Sequence, residues 1–505
     1  MDKIVRVLVN QRSVSVRQGA TILEAAREAG VHVPTLCYHP AFRPRGSCRV
    51  CLVEVQGGSK PVPACHTKVR DGMEVTTDSK ELHTYRRGVL DLLLSRHPNA
   101  CMTCEANGGC KLQDLVHEER LEDLWPKTAR GSVRHPEHHL EDHTSPAIAR
   151  DMSKCILCGL CVQACGEEGQ DLDVIGFVER GAAALPVTLF DESLGDAGCI
   201  SCGQCTLYCP VGALTERPDW QRVLEVLRAG RRTTVVQTAP ATRVAIGEEF
   251  GLPPGSVSTG RLVAALRALG FTFVFDTNFS ADLTIMEEAT ELLSRMVDNR
   301  GPLPMFTSCC PGWVNYVEQY HPELIPHLST TKSPQQMHAA VCKRGPFAEE
   351  LVWRGAVGDG EEPYVVSVMP CTAKKDEAVR PGMRGDVDAV ITTRELARMI
   401  RHQRIPFVSL PNDASYDNPL GESTGAGAIF GASGGVMEAA LRTASHFLGM
   451  NDAPLEWEGV RGVAAGVKQA TIPGVGSVAA VSSIASAKAL LAGPPEQWRK
   501  HLMIE

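Results

Sequence analysis

The sequence predicts a multidomain chain, α+β toward its N-terminus and α/β toward its C-terminus, on three grounds. Fifteen of its nineteen cysteines crowd into residues 37–209 in four groups, and the other four are scattered later. Alternating valines and a capped helix precede the first group. From about residue 231, short β-branched runs alternate with helical ones, the pattern of a sheet covered by helices. At 505 residues and 43% hydrophobic, the chain can fill roughly three to five cores.

The net charge of −8 and the lack of a long basic run argue against nucleic acid or anionic lipid as a partner. Met1–Arg6 has no apolar stretch of signal-peptide type, and nowhere do about 18 apolar residues run unbroken. No membrane span is therefore expected, and the expected location is the cytoplasm. Disulfides are rare there, so tight Cys-x2-Cys groups read as metal sites.

Residues 3–16 read as a hairpin: Val5, Val7 and Val9 alternate, a turn falls near Asn10-Gln11-Arg12, and Val14 and Val16 alternate again. Thr21 and Glu24 form a capping-box pattern for the next helix, and Gly30 suits the position after its end. Then comes Cys37-x10-Cys48-x2-Cys51-x13-Cys65, with Gly46, Gly57 and Gly58 giving the loop its freedom. Four thiolates suit a [2Fe–2S] cluster, so residues 1–78 read as a β-grasp [2Fe–2S] domain. A zinc site is the competing reading, though zinc more often uses two Cys-x2-Cys pairs. A helix expected over residues 79–95 leads to His97-x3-Cys101-x2-Cys104-x5-Cys110, in a segment spanning 79–118. Spacing alone does not separate a ligand from a surface histidine at His97. Both arrays resemble the N-terminal part of the large iron–sulfur subunit of complex I. That resemblance implies a [4Fe–4S] cluster on His97 and its three cysteines, with a potential raised by the neutral imidazole.

Residues 119–145, including Arg134–His139 and His143, read as a solvated linker rather than a metal site. Over 146–220 follow Cys155-x2-Cys158-x2-Cys161-x3-Cys165 and Cys199-x2-Cys202-x2-Cys205-x3-Cys209-Pro210. Each is the bacterial ferredoxin run, in which the fourth cysteine ligates the other cluster. The expected sets are Cys155, Cys158, Cys161 and Cys209 on one [4Fe–4S] cubane, and Cys199, Cys202, Cys205 and Cys165 on the other. Gly166 stands where proline is usual. One [2Fe–2S] and three [4Fe–4S] clusters in sequence make an electron wire, so the remaining residues should hold a terminal site.

In that C-terminal part, taken as 231–505, four strand-like runs lead into loops: Thr233–Val236 before Ala239-Pro240, Met305-Phe306 before Thr307–Trp313, Val365–Met369 before Pro370–Lys375, and Val387–Ile391 before Thr392–Glu395. The last has a capping-box pattern. Cys310 and Cys371 fall just past strand ends, where α/β sheets gather ligands. Gly425-x-Gly427 has no third glycine where Phe430 stands, so no nucleotide site is read there. Cys342 reads as an inert core thiol.

Thr307–Trp313 (TSCCPGW) and Met369–Glu377 (MPCTAKKDE) resemble the first two signature segments of [FeFe]-hydrogenases, as do Thr284–Leu292, Lys332–Gln336 and Gly425–Gly435. The resemblance implies reversible H2 oxidation at a [4Fe–4S] cube bridged to a diiron unit, together called the H-cluster. Cys310 and Cys371 match two cube ligands, and Cys309 the thiol that hands protons on. Glu288, Ser329 and Glu291 match the outward relay, with Arg295 near its mouth. Lys374 matches the residue that bonds a cyanide, and Ala239, Pro240, Gln335, Met369 and Phe430 match the pocket wall. Ala241 replaces a frequent serine. Without the resemblance, Glu288 and Glu291 read as a plain helix surface pair.

In that family a stretch like His501–Glu505 runs into a third segment, MACPGGC, which carries the last two cube ligands. This 505-residue chain is accordingly expected to supply two of the four and not to hold a complete active cluster. A gene fragment, a frameshift or a recoded selenocysteine codon would account for that. The implied partners are an NAD(P)H-handling flavoprotein, a small [2Fe–2S] subunit and ferredoxin. The alternative is a relay subunit of an NADH or formate dehydrogenase without hydrogen chemistry.

Overall fold

The structure, a computed structural model, describes residues 3–98, 100–121, 141–353, 361–418, 422–431, 434–447, 449, 458–459, 466–472 and 476–505. The linker histidines His135, His138 and His139 lie outside the described residues. Two compact units form. The first comprises Met1–Thr144, Ile148–Ala197 and Gln204–Thr215; the second comprises Ser145–Ala147, Gly198–Gly203 and Glu216–Glu505. The six-residue piece Gly198–Gly203 thus groups with the C-terminal unit, not with the ferredoxin run it interrupts. Among the described residues no helix is long and apolar enough to cross a membrane.

In the first unit β1 (Ile4–Val9) and β2 (Arg12–Arg17) pair antiparallel from Ile4↔Arg17 to Val9↔Arg12. Asn10 and Gln11 take φ of 46° and 68°, the left-handed pair that a two-residue hairpin turn requires. The period-2 pattern buries Val5, Val7, Val9 and Val14. With β3 (Leu52–Val55), β4 (Val62–Pro63) and β5 (Met73–Thr76) the sheet runs β2-β1-β5-β3-β4. Helix Ile22–Glu28 starts at a complete Thr21/Glu24 capping box and ends before Gly30 at φ 67°. It buries Ile22, Leu23, Ala25 and Ala26 against the sheet, which is the β-grasp arrangement. Helix Lys80–Leu94 begins at a Ser79 cap.

Strands β6 (Glu141–Asp142) and β7 (Ile148–Asp151) pair antiparallel. Sequence pattern misses the hairpin of β8 (Ile175–Val178) and β9 (Leu185–Thr188) between the two ferredoxin runs. β10 (Leu214–Glu216) completes a sheet with β7.

The second unit holds two sheets. β11 (Thr234–Thr238), β12 (Phe273–Asp276), β14 (Tyr364–Met369) and β15 (Ala389–Thr392) form a parallel sheet ordered β12-β11-β14-β15. All residues of β11, β14 and β15 are buried, as parallel strands covered on both faces must be. β13 (Met305–Phe306) lies instead in a second sheet with β16 (Glu458–Gly459), β17 (Val467–Ile472), β18 (Gly476–Val481) and β19 (His501–Ile504), ordered β13-β19-β18-β17-β16. The run into Cys310 and the run into Cys371 therefore end different sheets, and helix packing brings the two ends together.

Candidate metal centres and proton relay

Cys37, Cys51 and Cys65 are buried and Cys48 half-buried. The Cys48 N–H donates to the Cys37 sulfur at 3.4 Å. Hydrogen bonds pair Cys37 with Cys48 and Cys51 with Cys65, drawing Cys37 and Cys51 toward the thiolate and holding their partners as thiols. The Cys65 sulfur feels the other three, so the array converges.

One small cavity is lined by His97, Cys101, Cys104 and Cys110 and closed by Lys154 and Gly212. Burial pushes His97 down to about 4, which keeps the imidazole neutral and able to ligate. A Cβ at Gly212 would stand 2.5 Å from the Cys104 sulfur, so only glycine fits against that sulfur.

Cys155, Cys158 and Cys161 gather with Cys209. Burial, then the neighbouring sulfurs, push Cys155 and Cys158 up to about 12 and Cys161 well above its usual range; Cys209 is among the neighbours of all three. Cys165 stands apart, with the N–H groups of Ile175 and Val174 and the Asp173 carboxylate around it. Cys205 shares the first unit with Cys165, whereas Cys199 and Cys202 belong to the second. The Leu157 N–H donates to the Cys155 sulfur at 3.3 Å, and the Ser201 N–H to the Cys199 sulfur at 3.4 Å. Gly159 takes φ 76° at the start of helix Leu160–Cys165, where a Cβ would strike the Arg45 guanidinium at 2.7 Å. Within the first unit, Cys158 also feels Cys37, and Cys209 feels Cys104.

In the second unit Cys310 is exposed and caps helix Pro311–Tyr320, whose Pro311 is preset for the first turn. Cys371 follows β14; burial and then the Cys310 sulfur push it up to about 11. Burial, then Glu288, hold the Cys309 thiol well above its ordinary range. The Lys374 ammonium donates to the Cys309 carbonyl at 2.8 Å and to Glu377 at 3.0 Å. Burial works against its charge, but Glu377 and Cys309 outweigh that and raise it. Gln335 donates to Glu377 and to the Lys374 carbonyl, both at 3.1 Å. Sequence reasoning assigns no role to Glu377; its signal is the one-turn spacing from Lys374.

Glu288 is only 1% exposed, and neither of its oxygens has a partner at hydrogen-bond distance among the described residues. Burial, then Glu291 and Glu505, push it up to about 8, against a nearby Ser329 hydroxyl that favours its charge. That hydroxyl donates to Glu291 at 3.0 Å, and Arg295 donates to the other Glu291 oxygen at 2.6 and 3.1 Å. The surface-pair reading of Glu288 and Glu291 therefore does not hold: Glu288 is interior, and Ser329 lies between them.

Of the expected wall, Ala239 and Met369 are buried, Gln335 is 1% exposed, and Pro240 and Phe430 are half-buried. A Cβ on Gly431 would lie 3.7 Å from Pro240, which places the segment after Phe430 against Pro240. A Cβ on Gly427 would lie 2.5 Å from the Asn278 carbonyl, so close helix packing accounts for this glycine. Cys342 is 2% exposed within the core.

Residues 232–505 match the family described as iron only hydrogenase large subunit, C-terminal domain. Residues 2–80 match a 2Fe-2S iron-sulfur cluster binding domain, 86–123 the NADH-ubiquinone oxidoreductase-G iron-sulfur binding region, and 148–168 a 4Fe-4S binding domain. The chain is 44% identical over 481 residues to the NADP-reducing hydrogenase subunit HndD of Solidesulfovibrio fructosivorans, covering 92% of this chain and 80% of that protein. It is 39% identical over 473 residues to iron hydrogenase 1 of Clostridium pasteurianum, covering 92% and 79%. A solved variant of [FeFe]-hydrogenase HydA1 from Chlamydomonas reinhardtii is similar at 38% identity and TM-score 0.50, covering 56% of this chain and 80% of that one.

Proposed function

The chain belongs to the [FeFe]-hydrogenase family, and on that footing we propose that it is the catalytic subunit of a multimeric cytoplasmic enzyme interconverting H2 with protons and electrons. The four front arrays hold one [2Fe–2S] and three [4Fe–4S] clusters, three in the ligand sets expected from cysteine spacing and the fourth on His97, Cys101, Cys104 and Cys110 as the complex I resemblance implies. The cubane on Cys155, Cys158, Cys161 and Cys209 then neighbours both the Cys37 and the Cys104 centres, a junction for electrons from two directions. A flavoprotein handling NAD(P)H, a small [2Fe–2S] subunit and ferredoxin are the proposed partners, in keeping with the NADP-reducing relative.

When bound, the diiron unit supplies the metal acid at which H2 is split heterolytically. Cys310 and Cys371 would hold its cube. The Cys309 thiol carries the proton between that site and Glu288. A carboxyl titrating at about 8 accepts and releases protons near neutral pH, as a relay requires. Ser329 passes the proton to Glu291, whose charge Arg295 stabilises. Lys374 spends two N–H groups on Glu377 and the Cys309 carbonyl, and its third would be left for a cyanide of the diiron unit.

One observation carries this reading: Cys309, Cys310, Cys371, Lys374 and the buried Glu288 form one electrostatically linked group. The test is to produce the chain with the diiron maturation system, as it stands and joined to a MACPGGC segment, and to assay H2 evolution from reduced viologen. Evolution by the joined form is expected. A joined form with full iron–sulfur content and no H2 would transfer the protein to the relay-subunit reading.

A further inference from the structure

The second unit contains an irregular piece, Gly198–Gly203, bearing Cys199 and Cys202. Four side chains take four consecutive carbonyls of it. Tyr320 donates to Gly198 at 2.9 Å, Gln319 to Cys199 at 3.4 Å, Asn315 to Ile200 at 3.4 Å and Thr372 to Ser201 at 2.8 Å. Three belong to the helix that Cys310 starts, and the fourth directly follows Cys371. Asn315 is itself fixed, donating to Asp376 at 2.7 Å and accepting from Arg380 at 2.6 Å.

The fit leaves no slack. A Cβ on Gly203 would stand 2.2 Å from the Thr372 hydroxyl oxygen, and one on Gly198 would stand 2.9 Å from that of Tyr320. Ser201, between the two cysteines, holds φ 60°, a left-handed backbone uncommon for a residue with a side chain. Its carbonyl goes to Thr372 and its N–H to the Cys199 sulfur, so the two bonds hold this conformation from both ends.

We propose that Thr372 and Asn315 are positioning residues for electron transfer, docking the Cys199–Cys202 loop onto the segments that carry Cys310 and Cys371. The Thr372 hydroxyl closes a bonded route from Cys371 through Ser201 to Cys202, crossed by a single hydrogen bond. The docking also sets the Ser201 N–H against the Cys199 sulfur, which tunes the cluster there. This rests on the hydrogenase reading for the role of Cys310 and Cys371, and on the loop geometry alone for the docking.

The test uses the full chain with Thr372→Val, Thr372→Ser and Asn315→Leu. In the form carrying only iron–sulfur clusters, EPR-monitored redox titration is expected to show one [4Fe–4S] midpoint lowered in Thr372→Val and Asn315→Leu, and restored in Thr372→Ser. In the matured form joined to MACPGGC, the ratio of H2/D+ exchange to viologen reduction is expected to rise in Thr372→Val, because the one hydrogen bond in the route is lost. Exchange needs no electron to leave, whereas viologen reduction does. Unchanged midpoints in both variants, or Thr372→Ser behaving as Thr372→Val, would overturn the docking role. Lowered midpoints with an unchanged ratio would overturn the electron route. A parent chain without exchange defeats the hydrogenase reading instead, and the midpoints still decide the docking.

Discussion

At the scale of single residues, Glu288 is the sharpest case of surroundings deciding chemistry. Its carboxyl sits at about 8 when folded against 4.5 as an ordinary glutamate, chiefly because burial penalises the charged form. The folded state therefore binds more protons than the unfolded state between those values. Stability falls as pH rises through that window, by about 1.4 kcal/mol per pH unit from this group. Glu288→Gln removes the titration while keeping shape and burial. The difference in thermal midpoint between the two proteins, measured from about pH 5 to pH 8, should shift steadily in favour of Glu288→Gln. Titrating groups with no electrostatic coupling to Glu288 cancel in that difference, which leaves Glu288 and its coupled neighbours Glu291 and Glu505. A flat difference would show that Glu288 is ionised in the folded protein and would remove it as a neutral relay member.

At the scale of elements, the local signals are legible and the distant ones are not. The capping boxes at Thr21 and Thr392 are written within four residues, and the structure forms both completely. The β1–β2 hairpin reads from valine alternation because one face is buried. By contrast, nothing near Met305-Phe306 reveals its sheet, because its partner is Met503-Ile504 near the other end of the unit. Cysteine spacing exposes candidate ligands for the same local reason. Thr372 stays hidden because its partner Ser201 lies 171 residues away, whereas Glu377 carries a local signal in its one-turn spacing from Lys374. Gly427 shows how a local pattern misleads. Its glycine suggests half of a phosphate-binding turn, yet it lets helix Gly425–Ile429 approach helix Asn278–Val297, where its N–H donates to Asp282 at 2.9 Å. Gly427→Ala forces a Cβ into the Asn278 carbonyl, should cost about 1–3 kcal/mol, and should lower the thermal midpoint accordingly. An unchanged midpoint would mean that the two helices separate freely and that the Phe430 wall is not held by this contact.

At the scale of the whole molecule, the two ferredoxin runs cannot be independent modules if Cys209 completes the set of the earlier run. Cys209 lies past Cys199, Cys202 and Cys205 in the chain, yet its sulfur is felt by Cys155, Cys158 and Cys161, and Cys165 has other surroundings. A crossed set ties the two runs through their metal, so assembling one cluster constrains the backbone that must present ligands to the other. The prediction separates crossed from sequential ligation. Cys209→Ala and Cys158→Ala should each remove the same EPR signal from the anaerobically reconstituted chain, with about four irons lost in each. Cys165→Ala should remove a different signal, the one also lost in Cys202→Ala. If Cys209→Ala and Cys202→Ala silenced one signal together while Cys158→Ala and Cys165→Ala silenced another, each run would hold its own cubane. The Cys155 centre would then no longer place its ligand next to Cys104, and the junction joining the two electron entries would have to be redrawn.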